Sequence, residues 1–433
     1  MKQLLDIFLK NPDVCTDTRA IRAGCVFFAL KGENFNGNLF AKEALDKGAS
    51  CVVVDSEAVF ETICYELRLK RIRKIDERIV FVPNVLRALQ NLAKAYRQYL
   101  ADKERLMPLS VIGITGTNGK TTTKELLNAV LSKRYKVHAT QGNLNNHIGV
   151  PLTILSAPLD TAVLICEMGA NHTGEIAELC EIVNPNYGII TSLGRAHLAG
   201  FGSFENIVKT KTALYRKVKE NDGLVFVDEE NEILMRCSEG MRHIQYGIRP
   251  EINPNNTENQ LFGDYNFKNI LAAAEVGKYF NIALDVIKWA IREYQPQNNR
   301  SQKIETESNI LFMDAYNANP TSMQLAIESF KKLPDENKMY ILGDMLELGD
   351  VSEEEHRKII ELVKKSENVK KENGHSYRNL LLVGQIFYEI SPENAFKNVD
   401  LLINYLKKNP ISNQSLLIKG SHSIHMEKVV DFL

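Results

Sequence analysis

No run of apolar residues in this chain approaches the roughly 18 that would span a bilayer. The start, MKQLLDIFLKNPDV, interrupts its apolar residues with Asp6 and Lys10 and reads as an amphipathic first helix rather than a leader. A charge excess is missing too: Lys plus Arg number 53 and Asp plus Glu 54. There is therefore no general electrostatic reason to bind nucleic acid or an anionic membrane surface. Cysteine is sparse, with seven residues at 15, 25, 51, 64, 166, 180 and 237, odd in number and without a C-x-x-C pair. Several lie in apolar runs such as Val163-Leu164-Ile165-Cys166, so buried reduced thiols are expected. No internal repeat is evident, and the single tryptophan, Trp289, is expected to fill core. A cytoplasmic enzyme with no nucleic-acid partner and no membrane insertion fits these absences.

What is present is an α/β pattern in three parts. At 433 residues the chain exceeds what one hydrophobic core organises. Residues 1-106 carry strand-like runs at 25–30 and 50–54, a helical pattern from Phe40 to Lys47 and a closing helix from about Val85 to Leu100, which predicts a small α/β unit. Residues 107-295 alternate strands at 109–114, 162–167, 187–191 and 223–227 with helices at 120–132, 173–182 and 203–219. That is the order of a mostly parallel sheet. Residues 296-433 repeat it, with strands at 310–314, 338–342, 379–383 and 415–419 and helices at 321–332, 352–365 and 422–432, so a second doubly wound, Rossmann-like sheet is expected. The charged segment 364–378 reads as a solvated loop.

The segment VIGITGTNGKTTTKELL, residues 111–127, runs from a β-branched strand through Gly116-Thr117-Asn118-Gly119-Lys120-Thr121-Thr122 into helix formers. Strand, glycine loop and helix start are the parts of a phosphate cradle, because glycines let successive N–H groups turn inward and the helix end adds partial positive charge. Lys120 would reach the outer phosphates of a nucleotide and the Thr121 hydroxyl could ligate Mg²⁺. A strict Walker A pattern needs glycine at 114, where this chain has Ile114.

Other polar residues fall at strand ends, where ligands sit in open parallel sheets. Glu167 follows Val163-Leu164-Ile165-Cys166 and is a candidate Mg²⁺ ligand or a helix-capping glutamate; His197 follows the strand near 187–191. GNLNNHIGVP, residues 142–151, holds three asparagines suited either to a peptide-like ligand or to tight turns. In the last unit Asp314, Asp344 and Lys419 each end a strand, so that sheet edge also faces a ligand.

Together, T-G-T-N-G-K-T-T, the glutamate after the next strand, and A-H-L resemble the Mur ligases, ATP-dependent amide-forming enzymes of peptidoglycan synthesis. G-N-L-N-N-x-I-G-V-P, E-M-G-A, D-A-Y-N-A-N-P-T-S-M and L-G-D-M-L-E-L-G resemble the member that joins D-Ala-D-Ala to UDP-N-acetylmuramoyl-tripeptide. The resemblance implies a first domain for the UDP-sugar, a second for ATP and a third that closes over them with the incoming dipeptide; a monomer is expected. It implies Mg²⁺ on Thr121 and Glu167, and a second Mg²⁺ on Glu167, His197 and a carbamylated lysine, placed at Lys211 rather than Lys209. It further implies adenine near Asn269, phosphate on Arg300, ribose on Asp314, the uridine nucleotide near Thr18, Arg19 and Lys31, and substrate contacts from Asn143, Asn146, Asn317 and Asn319. The chain departs from the family at Ala199 and Ala213, where carboxylates are usual, while all three ligand candidates remain. The alternatives are a relative that adds the third amino acid or polyglutamylates folate, and a nucleotide-binding scaffold without catalysis.

Overall fold

Strands form where apolar and β-branched residues run together, and they stop at glycine or a polar side chain. In the computed structural model, which describes residues 1–433 except 73, 104–107, 195, 197, 298, 336, 366–370, 373–375 and 378, they assemble into three larger sheets and two small hairpins. The first sheet is parallel, in the order Val14–Cys15, Val26–Phe28, Cys51–Val54, Ile79–Phe81. It is joined to the second by the helix Val85–Ala101, whose buried Val85, Leu89, Leu92, Tyr96 and Leu100 repeat at helical spacing. That helix is shared by two units. Tyr96 meets Phe8 edge-on at 5.0 Å and donates its hydroxyl to the Ala157 carbonyl at 2.7 Å, so one apolar cluster runs through both.

The central sheet is wholly parallel, in the order His243–Tyr246, Leu224–Asp228, Tyr187–Ile190, Ser110–Thr115, Val163–Glu167, Val137–Ala139. Chain direction across the sheet reverses at Ser110–Thr115, whose neighbours come from opposite sides of the winding. Such a switch point opens a crevice at the carboxyl end of the strands. The third sheet runs Gln302–Glu305, Ile310–Asp314, Ser415–Lys419, Lys338–Gly343, Leu380–Val383, Ala395–Phe396, with only the first pairing antiparallel. Its winding reverses beside Ser415–Lys419.

One buried carboxylate holds this last unit together. Asp344, 2% exposed, accepts from the backbone N–H groups of Ile386 at 2.9 Å and Phe387 at 3.0 Å. It thereby satisfies the start of the helix Gln385–Ile390. Asp344→Ala strands two buried donors, so it is expected to destabilise the chain by about 2–4 kcal/mol, measured as a lowered urea midpoint at unchanged slope.

Several expectations are corrected. Trp289 does not fill core; it is 47% exposed, with Lys133 Nζ 3.9 Å from its ring centroid. The helix expected over 203–219 is two, Phe204–Lys211 and Ala213–Glu220, and the intervening Thr212 turns its hydroxyl back to the Val208 carbonyl at 2.8 Å. The final helix is replaced by 3₁₀ turns, His422–Ile424 and Met426–Phe432, separated by His425 at φ 59°. Within the expected loop 364–378, Lys371–Glu372 pairs with Ser376–Tyr377; its remaining positions from 366 lie outside the described residues. All seven cysteines are free, six buried and Cys237 exposed, and burial pushes the Cys51, Cys166 and Cys180 thiols up to about 12. Among the described residues no helix is long and apolar enough to cross a membrane.

Candidate active site

Ile114, where a strict Walker pattern has glycine, is a fully buried strand residue packed with Leu126 and Leu127. The loop therefore begins only at Gly116. Gly116 (φ +148°) and Gly119 (φ +83°) take backbone conformations that side chains rarely adopt. A Cβ at Gly116 would stand 2.1 Å from Thr191 Oγ1, and one at Gly119 2.5 Å from Asn269 Oδ1. The loop is also clamped from the neighbouring strand end. Thr191 Oγ1 donates to the Asn118 carbonyl at 2.6 Å, and Asn118 N–H donates to Ser192 Oγ at 2.9 Å.

Two lysines meet behind this loop. Lys120, at the start of the helix Lys120–Leu131, donates to the Gly116 carbonyl at 2.8 Å and the Thr117 carbonyl at 3.1 Å. Lys211, from the end of Phe204–Lys211 and only 4% exposed, reaches the same Gly116 carbonyl at 3.1 Å. Burial lowers the pKa of Lys120, against the pull of Glu167. Burial first, then repulsion from Lys120, brings Lys211 down to about 7. Lys209, two residues earlier, is exposed.

Glu167, 1% exposed, ends its strand facing the loop. Thr121 Oγ1 donates to Oε2 at 2.9 Å and Asn145 Nδ2 donates to Oε1 at 2.8 Å, which orients the carboxylate from two sides. Its own N–H donates to Thr140 Oγ1 at 2.9 Å, and the Thr140 carbonyl accepts from buried Lys124 Nζ at 2.8 Å. Asn145→Asp sets a second carboxylate against Glu167, and like charges this close resist joint ionisation. The expected result is a drop in kcat of at least about tenfold, read by phosphate release, with Asn145→Ala less damaged.

The third unit closes the other side. Asn319 caps the helix Pro320–Lys332 and donates its side-chain amide to Asn118 Oδ1 at 2.9 Å, tying that unit to the phosphate loop. Asp314 accepts from Lys419 Nζ at 2.5 Å, the Ser301 N–H at 3.2 Å and the Tyr265 hydroxyl at 3.3 Å. The Arg300 guanidinium lies 3.6 Å from the centroid of the Tyr316 ring, and its buried Nε has no hydrogen-bond partner among the described residues. A cleft of about 920 Å³ is lined by Lys120, Glu167, Arg300, Asp314 and Lys419, while Gly116, Lys211 and Asn319 stand outside its lining. An orphaned guanidinium nitrogen, a buried lysine and a loop of inward-turned backbone suit a polyphosphate.

Of the residues singled out from sequence, Thr117 through Thr122, Asn146, Glu167, Asn269, Arg300, Asp314 and Asn317 line this cleft. Asn269 is held by Asn266 Oδ1 at 2.9 Å and accepts from Thr123 Oγ1 at 3.1 Å. Asn146 Oδ1 accepts from the Ile148 and Gly149 N–H groups, while Asn143 is exposed and outside the lining. Thr18, Arg19 and Lys31 also lie outside it, on the first unit, where Arg19 pairs with Asp17 at 2.6 Å and Lys31 with Asp55 at 2.8 Å. His197 lies outside the described residues, and Ala213 packs in the apolar cluster. Lys419, expected at a strand end, also lines the cleft, whereas Asn145, Lys124 and Thr140 were not marked by spacing. Asn145 alone had a signal, as a member of the asparagine run.

A phosphate loop at a switch point, facing a second α/β unit across one cleft, defines a nucleotide-dependent multidomain enzyme. The chain matches the models for "Mur ligase family, catalytic domain" at residues 13–97, "Mur ligase middle domain" at 114–277 and "Mur ligase, glutamate ligase domain" at 299–421. It belongs to the Mur ligase family. A relative from Bacillus subtilis (strain 168), UDP-N-acetylmuramoyl-tripeptide--D-alanyl-D-alanine ligase, is 32% identical, over 96% of this chain and 92% of its own. The solved UDP-N-acetylmuramoylalanyl-D-glutamyl-2,6-diaminopimelate--D-alanyl-D-alanyl ligase from Acinetobacter baumannii is 26% identical, with TM-score 0.76 over 97% of this chain and 92% of that one. The MurF ligase from Thermotoga maritima, solved in complex with ADP, shares the fold at TM-score 0.77 and 23% identity, over 97% of this chain and 96% of that one.

Proposed function

We propose that this chain joins D-Ala-D-Ala to UDP-N-acetylmuramoyl-tripeptide with ATP, as a monomer in the cytoplasm, in peptidoglycan synthesis. The peptide carboxylate attacks the γ-phosphorus to give an acyl phosphate and ADP; the dipeptide amine then attacks the acyl carbon and expels phosphate. The observation that carries this reading is the meeting of Lys120 and Lys211 on the Gly116 carbonyl beside Glu167. A kinase-like phosphate loop needs only the first lysine. A second, deeply buried and without a carboxylate partner among the described residues, suits conversion to a carbamate.

That conversion balances simply: the neutral amine adds to CO₂, a proton leaves, and the cation becomes an anionic oxygen ligand. Glu167, Thr121 and the Lys211 carbamate would offer the hard oxygen donors that Mg²⁺ takes, and His197 a nitrogen beside them. Among the described residues, which do not include His197, no three His, Cys, Asp or Glu side chains converge. Bound Mg²⁺ supplies charge neutralisation between the phosphate oxygens and the attacking carboxylate. The side chains do the rest. Lys120 turns from the loop carbonyls to the γ-phosphate, Arg300 takes phosphate oxygens from the third unit, and Asn319 holds that unit closed against Asn118. Asn269 and Asp314 are assigned to adenine and ribose, and Thr18, Arg19 and Lys31 to the uridine nucleotide on residues 1-106.

The test is phosphate release from ATP with UDP-N-acetylmuramoyl-tripeptide, with and without D-Ala-D-Ala. Release that requires the dipeptide supports the assignment. Release that instead requires glutamate and a folate, or a free amino acid with the dipeptidyl precursor, would move the chain to another branch of the family.

A further inference from the structure

The cleft does not end at the phosphate loop. It continues between the helices Val85–Ala101 and Glu175–Val183, where its two walls have opposite charge. Arg87, Gln90 and Lys94 form a stripe at i, i+3 and i+7 along the first helix; Glu175, Glu178 and Glu181 face the groove from the second, with Leu179 and Ile182 between them. Gln90 Nε2 donates to the His147 carbonyl at 3.1 Å, which pins the stripe to the asparagine loop beside Glu167.

Most of the acidic wall is already engaged. Glu181 pairs with Lys217 at 2.7 Å, and Glu175 accepts from the Asn171 and His172 N–H groups at 2.7 and 3.1 Å. Arg87, Lys94 and Glu178 have no ion-pair partner among the described residues. Lys94 is close enough to add a minor pull to that of Lys217 in holding Glu181 below the ordinary carboxylate range. Two free cations and one free anion therefore line a groove leading into the site. A ligand matched to it carries two carboxylates and one amine.

The peptide named for the Acinetobacter baumannii ligase, alanyl-D-glutamyl-2,6-diaminopimelate, has this inventory. Once one diaminopimelate carboxylate is activated, a glutamyl carboxylate, a second diaminopimelate carboxylate and one free amine remain. A third residue ending in an amine alone leaves one cation unmatched.

We propose that this groove is the binding site for the peptide arm, with Arg87 and Lys94 taking the two unreacted carboxylates and Glu178 the amine, and that it selects a third residue bearing both groups. The proposal rests on the ligase reading above and adds to it a subsite and a preference. Arg87 and Lys94 leave the chemical step untouched, so their effect belongs in KM.

The experiment compares three UDP-muramoyl-tripeptides: one ending in diaminopimelate, one ending in lysine, and the diaminopimelate form with its glutamyl carboxylate amidated. Each is assayed with the unmodified chain and with Arg87→Ala, Lys94→Ala and Lys94→Gln, the last keeping the packed stem. A charge-assisted hydrogen bond is lost with either altered peptide, so the unmodified chain should show KM raised by about tenfold for both at similar kcat. Replacing one cation should abolish discrimination against the lysine peptide, and replacing the other discrimination against the amidated peptide, which tells the two carboxylate sources apart. KM for ATP and for D-Ala-D-Ala should not move. Ligation of all three peptides with equal KM, or variants that raise KM equally for all three, overturns the groove assignment while leaving the ligase reading intact. Failure to ligate any of them overturns both.

Discussion

Lys120→Ala is expected to lower kcat for dipeptide-dependent phosphate release by about 10³-fold, the usual scale for removing a preorganised charge from a site of charge transfer. The chemistry brings two anions together, a carboxylate and a triphosphate, and Lys120 is the cation at the loop itself. Its Nζ already sits within 2.8 Å of the Gly116 carbonyl, so small rotations move it between backbone and phosphate without a fold change. Burial lowers its pKa, so the folded protein bears a desolvation cost for keeping the ammonium charged. Removing that charge should therefore leave Tm no lower, even as activity is lost. A variant that loses Tm and activity together would show that Lys120 is a structural clamp of the loop.

The second large effect concerns Lys211. Lys211→Ala should lose at least about 10²-fold in kcat and regain part of it on addition of short carboxylic acids, which can occupy the space of the missing carbamate. Lys209→Ala should remain active, because Lys209 is exposed while Lys211 is buried against the Gly116 carbonyl. Assays with and without added bicarbonate give a second check. An amine with pKa near 7 is about half neutral at pH 7, against about one part in 3,000 for an ordinary lysine, so carbamylation at Lys211 is favoured over every exposed lysine. Loss of activity in Lys209→Ala, or no rescue of Lys211→Ala, would remove the carbamate from the account.

Much of this site was legible locally. Glycine, threonine and lysine packed between a β-branched strand and a helix state their chemistry within a dozen residues, and fully buried parallel strands such as Val163–Glu167 read as unbroken apolar runs. The shift of the loop start to Gly116 follows from Ile114 being core. What was not legible depends on contacts far apart in sequence. Edge strands of two or three residues, such as Val137–Ala139 and Ala395–Phe396, exist because a neighbour offers a ladder, not because of their own period. In the asparagine run the composition singled out the loop, but which amide faces Glu167 is decided by the turn, and it is Asn145. Lys124 reads as a surface lysine of a helix and is instead buried on the Thr140 carbonyl. Between Lys209 and Lys211, spacing says only that they face different ways on one helix; the choice of Lys211 rests on family resemblance, and that one of the two is buried depends on packing the sequence does not show. Trp289 was misplaced because large aromatics are usually core, whereas here the ring lies under Lys133 at the surface.

The central claim, amide formation through an acyl phosphate at the Lys120–Glu167–Lys211 site, is tested most directly by labelling the reacting carboxylate of the UDP-muramoyl-tripeptide with ¹⁸O and analysing the released phosphate. One ¹⁸O atom is expected in each phosphate released, transferred only when D-Ala-D-Ala is present, with the other label retained in the amide product. Phosphate carrying no ¹⁸O, released regardless of the dipeptide, would overturn it and leave a nucleotide hydrolase in its place.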